Sequence, residues 1–364
     1  MAEGPASPFW CEVRTPFALT VPEKVPHLAV PPCHRYTNKL ALNIVTAGCT
    51  VITIGTWNLE NLFQPGSDAG PESEVAYEAK LTALAETITE LAPDVLAVQE
   101  VGEPEALDDL VHRLGTTWHT ALADPDGRGI RVGMLSRLPL SDIEQVVDFP
   151  DGLRPIQVDD SGITMGEMGR PALRVRVESD GGTTLDVMSC HLKSKLLTFP
   201  GGRFSPKDED ERARFAVYAL NRRAAEAAAI RAYASDLLAG DGQDRALIVA
   251  GDLNDGPEAA TTQLLHGPSG SEIGTTGFDR PDTGDGQRLW NLAPLIPENQ
   301  RFSRIFRGQG ELIDHLLVSH ALVKAVQTVT TGEVEIPSIT EQPTERRDEP
   351  GSDHRPVVAV FDVV

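Results

Sequence analysis

The chain has 364 residues, 40% hydrophobic and 24% charged, an ordinary globular mixture able to bury a sizeable core. Its formal net charge is −22, and since the first fifty residues hold four basic and three acidic side chains, the remainder carries −23. So acidic a chain argues against tight non-specific binding of a polyanion, which needs many Lys and Arg contacts to phosphate, but it leaves room for a small substrate or for a polyanion held through cations.

Residues 1–48 are Pro-rich without a clear period and read as a poorly ordered extension ahead of a catalytic domain over 49–364. They lack the basic start and apolar core of a secretory signal, and no apolar run in the chain reaches the roughly 18 residues of a membrane span. Cys11, Cys33 and Cys49 precede the first clear strand and Cys190 sits in a strand-like run. That pattern fits neither a disulfide framework nor paired zinc spacing, so reduced thiols in a cytoplasmic protein are expected; a Cys11/Cys33/His34/Cys49 metal site is the weaker alternative.

From Val51 the signals become regular. VITIGTW (51–57) is β-branched and strand-like. Over 73–94, Tyr77, Leu81, Leu84, Ile88 and Leu91 recur at steps of four and three, which predicts a one-sided helix started by Ser73 and ended by Pro93. VLAVQ (95–99) reads as a strand and Pro104 to Leu114 as a second helix. Further strands are expected at 131–136, 172–178, 184–190, 246–250, 312–319 and 357–363. A long Ala/Arg-rich helix should enter at Ser205-Pro206 and run to Gly240, whereas 260–305 and 328–352, rich in Gly, Pro and Asp, read as surface loops. The mixture without strict alternation predicts an α/β four-layer sandwich: two packed mixed β-sheets flanked by helices.

Polar residues gather at the ends of these strands. Asn58 and Glu60 follow the first, Glu100 follows VLAVQ, His191 follows TLDVMSC, and Asp252 and Asn254 follow ALIVAG. Asp314 lies within LIDHLLVS, and GSDHRP places Asp353 and His354 just before the last strand. Taken singly, Asn58 is a turn residue, Glu100 a helix-start carboxylate, His191 a satisfied histidine and His354 part of a loop. Asp314, flanked by apolar residues, needs a partner. One cause accounts for all of them together: a cleft of hard oxygen ligands for Mg²⁺ or Mn²⁺, with two histidines for proton transfer or charge stabilisation.

TWNLENL, VLAVQEV, MLSRLPL, GRPALRV, MSCHLKSK, IVAGDLND, LIDHLLVS and GSDHRPV, in this order over residues 51 to 364, resemble the endonuclease/exonuclease/phosphatase superfamily. The resemblance implies that Glu100 is the principal metal carboxylate, with Asn58 and Glu60 as ligands or supports, Glu60 open to serving a second metal, and Asp353 joining the set. Asp252 and Asn254 would orient the attacking water and bind phosphate. His354 would touch the scissile phosphate with its tautomer held by Asp314, His191 would be the other active-site histidine, and Arg170 would contact phosphate. Asp255 is expected to point elsewhere, as a surface or capping residue.

For the substrate, HLKSKLL places Lys193 and Lys195 beside His191 on one face of an extended segment, and Arg203, Lys207, Arg212 and Arg214 would extend a basic rim. The first expectation is therefore a nuclease or other phosphodiesterase acting on nucleic acid. The second is a phosphatase or phosphodiesterase for a small phosphoester or lipid headgroup, and the third a catalytically dead binding scaffold. No obligate protein partner is evident.

Overall fold

The structure, a computed structural model, describes residues 51–363 except positions 116, 341, 343 and 344. The expected extension over 1–48 and the Cys11/Cys33/His34/Cys49 alternative lie outside the described residues.

Two six-stranded mixed sheets face each other. In the first the order is Val326–Thr330, Val357–Asp362, Val51–Leu62, Val95–Val101, Arg131–Ser136, His119–Leu122. In the second it is Leu289–Asn291, Asp314–Ser319, Ala246–Asp252, Thr184–His191, Glu167–Glu178, Ser141–Asp148. Each sheet has one parallel pair at its centre, Val51–Leu62 with Val95–Val101 and Thr184–His191 with Ala246–Asp252, and every other pairing is antiparallel.

Alternation along the strands builds the layers. Ile52, Ile54, Val95 and Ala97 meet Val175, Val187, Ile248 and Leu316 in the core between the sheets. Their neighbours Trp57, Leu59, Leu96 and Val98 turn the other way, onto Tyr77, Leu84 and Ile88 of α1 (Glu74–Leu91) and Leu107 of α2 (Pro104–Leu114). On the far side Met188, Leu247, Val249 and Leu317 pack on Ala227, Ile230 and Leu238 of α3 (Glu209–Leu238). Strands covered on both faces have no polar side to show, which is why ALIVA and VLAVQ read as unbroken apolar runs. This is the expected four-layer sandwich.

Several local expectations are corrected. α3 does not enter at Ser205-Pro206: Asp208 caps it, its carboxylate accepting the Glu211 amide. The interval 260–305 is not all surface loop, because it holds a short helix, Ala260–His266, and the edge strand Leu289–Asn291, whose Trp290 is buried between the sheets. The interval 328–352 likewise contains most of Val326–Thr330. Cys190 is free and buried, and burial pushes its thiol up, as suits an inert packing residue.

Candidate active site

The two parallel pairs end side by side, and their C-terminal ends hold the site. In one sheet Asn58 pairs in register with Gln99, the residue before Glu100; in the other Asp252 pairs with His191 on one side and Asp314 on the other. Beneath them a buried polar bridge joins the sheets, the Gln99 amide donating to Thr56 Oγ1 at 3.1 Å and to Ser189 Oγ at 3.2 Å. Four non-glycine residues take left-handed backbone where these strands break off: Glu60, Asn61, Glu100 and Asn254. Such conformations cost of order 1–3 kcal/mol each and persist where surrounding contacts over-determine them, commonly at functional sites.

Asn58, buried, donates from Nδ2 to Glu100 Oε1 at 3.2 Å and to Asp252 Oδ2 at 3.1 Å, so one amide links the carboxylates of the two sheets. Glu100 Oε2 accepts the Asn61 amide, and Asp252 Oδ1 accepts the Asn254 amide at 2.8 Å. His191 Nε2 lies 3.4 Å from Asp252 Oδ2 and 4.0 Å from Glu100 Oε1. Its Nδ1 meets the Arg170 guanidinium, which has only protons to offer, so Nδ1 is the acceptor and the His191 proton sits on Nε2, facing the carboxylates. Burial, then Arg170 and His354, hold His191 well below the ordinary imidazole range, which keeps it neutral.

The second histidine is the opposite case. His354 Nδ1 is 2.7 Å from Asp314 Oδ2, and both side chains are buried. Burial alone would lower it, but Asp314, Asp353 and Asp252 outweigh burial and push His354 up to about 10, so it is an imidazolium at neutral pH. Its backbone is pinned as well: Trp57 Nε1 donates to the His354 carbonyl at 2.8 Å, and Ser352 Oγ accepts the His354 amide while donating to the Asn58 carbonyl. Asp252 is raised from the usual carboxylate range, first by burial and then by Asp314.

The remaining expected residues fall into two groups. Asp353 borders the cluster, its Oδ1 4.0 Å from His354 Nε2, and its amide donates to Glu60 Oε2. Glu60 is turned toward Arg346, which grips both its oxygens at 2.9–3.2 Å. Lys193 and Lys195 do not form a shared open face. The strand stops at His191, the Lys193 ammonium folds back onto the carbonyls of Ser194 and Leu196, and Lys195 pairs with Asp255 at 3.1 Å. The rest of the expected rim is paired too, Arg203 with Glu211, Arg212 with Glu209 and Arg214 with Asp160, while Lys207 adds its backbone amide to Glu211. Asp255 does point away from the cleft, but it is buried rather than on the surface, holding Arg223 of α3 and the Thr261 hydroxyl.

Sequence reasoning missed Asp126, Arg346, Lys80 and Ser352. Asp126 lies 3.2 Å from Arg170 Nε and accepts the amides of Arg128 and Ile130; the turn signature DPDGRG was the available hint. Lys80 is buried within α1 and donates to the Gly351 carbonyl, and a lysine on the apolar face of a predicted helix was the signal there.

A hard divalent cation fits these residues. Asp314 Oδ1 is buried without a hydrogen-bond partner, and burial beside a second carboxylate disfavours the charge on Asp252; both mark negative charge gathered short of cations. Asp252, Asp314 and His354 bring ligand-type atoms within 4.8 Å of one another, but an imidazolium has no lone pair to give, so Glu100 makes the better seat, with Asn58 supporting it through Nδ2 while its Oδ1 accepts the Glu60 amide at 2.9 Å.

The sequence profile of the endonuclease/exonuclease/phosphatase family matches residues 55–354. The chain belongs to this family, and as a member it is a phosphoester hydrolase. The fold is shared with solved structures at low identity. The human nocturnin catalytic domain with bound sulfate is 15% identical, with a TM-score of 0.53 and coverage of 86% of this chain and 94% of that one. Family proteins from Bacteroides vulgatus and Bacteroides thetaiotaomicron, also 15% identical and covering 86% of this chain, give TM-scores of 0.52 and 0.51 over 100% and 99% of their own lengths. No curated protein matches the chain. No helix among the described residues is long and apolar enough to cross a membrane.

Proposed function

We propose that the chain is a Mg²⁺- or Mn²⁺-dependent phosphodiester hydrolase of the nuclease type, working by in-line attack of water. The observation that carries this reading is the pair of buried histidines around Asp252: His191, with Arg170 at Nδ1 and Nε2 3.4 Å from Asp252, and His354, held by Asp314 at 2.7 Å. A phosphodiester resists water because its own negative charge repels nucleophiles. The ion, held by Glu100 with Asn58 supporting that carboxylate and Asp353 at the border, would neutralise part of that charge. Asp252 accepts a proton from the attacking water, with Asn254 holding that water and the phosphate. His191 Nε2–H meets the non-bridging oxygens, and the Arg170 guanidinium behind the ring fixes that tautomer through Nδ1. His354, charged, faces the phosphoryl group, supplies positive charge where it develops, and gives its Nε2 proton to the leaving oxygen as the P–O bond breaks.

A second reading, hydrolysis of a small phosphoester or a lipid headgroup, draws support from the rim, whose cations are engaged in ion pairs. Turnover of single- and double-stranded DNA, RNA, bis(p-nitrophenyl) phosphate and inositol phosphates with Mg²⁺ or Mn²⁺ tests both. Metal-dependent polynucleotide cleavage that is lost in His354→Ala is the expected result. Cleavage of the small esters alone would favour the second reading, and inactivity on all of them would sink both.

A further inference from the structure

The acidic residues around the site fall into two groups with different partners. Glu100 and Asp252 share the Asn58 amide, and Asp314 bonds His354. The neighbouring cations are committed elsewhere, Arg170 to Asp126 and Arg304 to Glu311. Glu60 instead faces fixed cations, which work against the burial and the neighbouring Asp353 that push its carboxyl up. Arg346 binds both oxygens of Glu60, and buried Lys80 lies close enough to stabilise the charge of both carboxylates.

We infer that Arg346 is a built-in cation that takes the place of a second divalent ion at Glu60, so that this centre holds one ion, at Glu100. This rests on the metal-dependent reading above and deepens it. Two-ion phosphoryl-transfer centres set their cations about 3.5–4 Å apart so that both attacking and leaving oxygens are clamped. Glu60 and Asp353 are the carboxylates available for such a partner, and a bidentate guanidinium fills the coordination that Glu60 could give it. The guanidinium is fixed by its surroundings. Arg347 next to it bonds the Ser67 and Gly70 carbonyls, and Asp348 accepts the Glu72 amide at 2.6 Å, tying this segment to the loop that follows the Glu60 strand. An arginine cannot shed its proton or leave with product, so the charge at Glu60 would be permanent.

Mn²⁺ uptake by the full chain, followed by electron paramagnetic resonance in about 0.15 M KCl to screen the acidic surface, tests this without an activity readout. The wild type should take up one tightly bound Mn²⁺. Arg346→Gln should take up two, Arg346→Lys one, and the Arg346→Gln/Glu60→Gln double variant one, each with a melting curve to confirm folding. Two tight ions in the wild type would overturn the inference without any variant, as would a single ion in folded Arg346→Gln. No tight ion in any form would remove the metal-dependent reading itself, an outcome distinct from a wrong count.

Discussion

At His354, burial works against a charged imidazole and three carboxylates reverse it. Asp314 is the strongest of them and also the hydrogen-bond partner at 2.7 Å, so it acts on the reaction through His354 rather than on substrate. The sign of its removal follows. With Asp314 present the ring stays charged until pH approaches about 10; with a neutral amide there, burial remains and the largest raising influence is gone, so the ring loses its proton at lower pH. If turnover needs the charged ring, Asp314→Asn should move the alkaline limb of the rate profile to lower pH and reduce the rate at pH 8 by roughly 100- to 10,000-fold. A uniform fall at all pH values, with the limb unmoved, would show a merely structural role. Asp314 was legible in the sequence because a carboxylate among apolar residues demands a partner. Lys193 and Lys195 were misread because an extended face was assumed past His191, where the strand has already ended. Asp255 was misread because its partner, Arg223, is distant in sequence on α3.

Strand ends are where the site is built, and the spacing between strands sets its geometry. Thr184–His191 and Ala246–Asp252 run parallel with Gly251 opposite Cys190 and Asp252 opposite His191. A Cβ on Gly251 would lie 2.0 Å from the Cys190 carbonyl oxygen, a backbone atom that cannot swing aside. The glycine in GDLND therefore serves close approach of two strands before it serves the turn. Gly251→Ala should force the strands apart, cost roughly 1–3 kcal/mol or more in denaturant unfolding, and lower turnover by misplacing Asp252 against His191. Unfolding at the wild-type midpoint would refute the contact. The doubly covered central strands and α1 could be read from the sequence because each carries a clear apolar pattern. The edge strand Ser141–Asp148 could not, since five of its first residues are exposed and it shows no alternation to detect. Trp290 and Leu292 were taken for loop because the Gly, Pro and Asp around them mask a three-residue strand.

Taken whole, the molecule carries −22, and Lys195, Arg203 and Arg212 of the expected rim are already matched by carboxylates. Exposed ion pairs are worth at most about 1 kcal/mol, so an incoming phosphate can take the arginine or lysine away from its partner. The partner carboxylate nevertheless stays nearby, and its repulsion offsets most of what the new contact contributes. On the proposed reading, a polynucleotide would be held chiefly at the scissile phosphate, through the ion and the histidines, with few counterions released. A protein making 6–10 phosphate contacts loses about 10³–10⁵ in affinity between 50 and 200 mM salt. For this chain the KM for single-stranded DNA at saturating Mg²⁺ should rise by less than about tenfold over that range, and the KM for bis(p-nitrophenyl) phosphate should barely move. A steep, many-contact salt slope would mean that the rim pairs open cooperatively into a basic track, and the weight would shift firmly to long polynucleotides. A flat slope with DNA still cleaved would place recognition in the cleft itself, where Asn58, Arg170 and the two histidines converge from both sheets and the surrounding acidic surface excludes longer contacts.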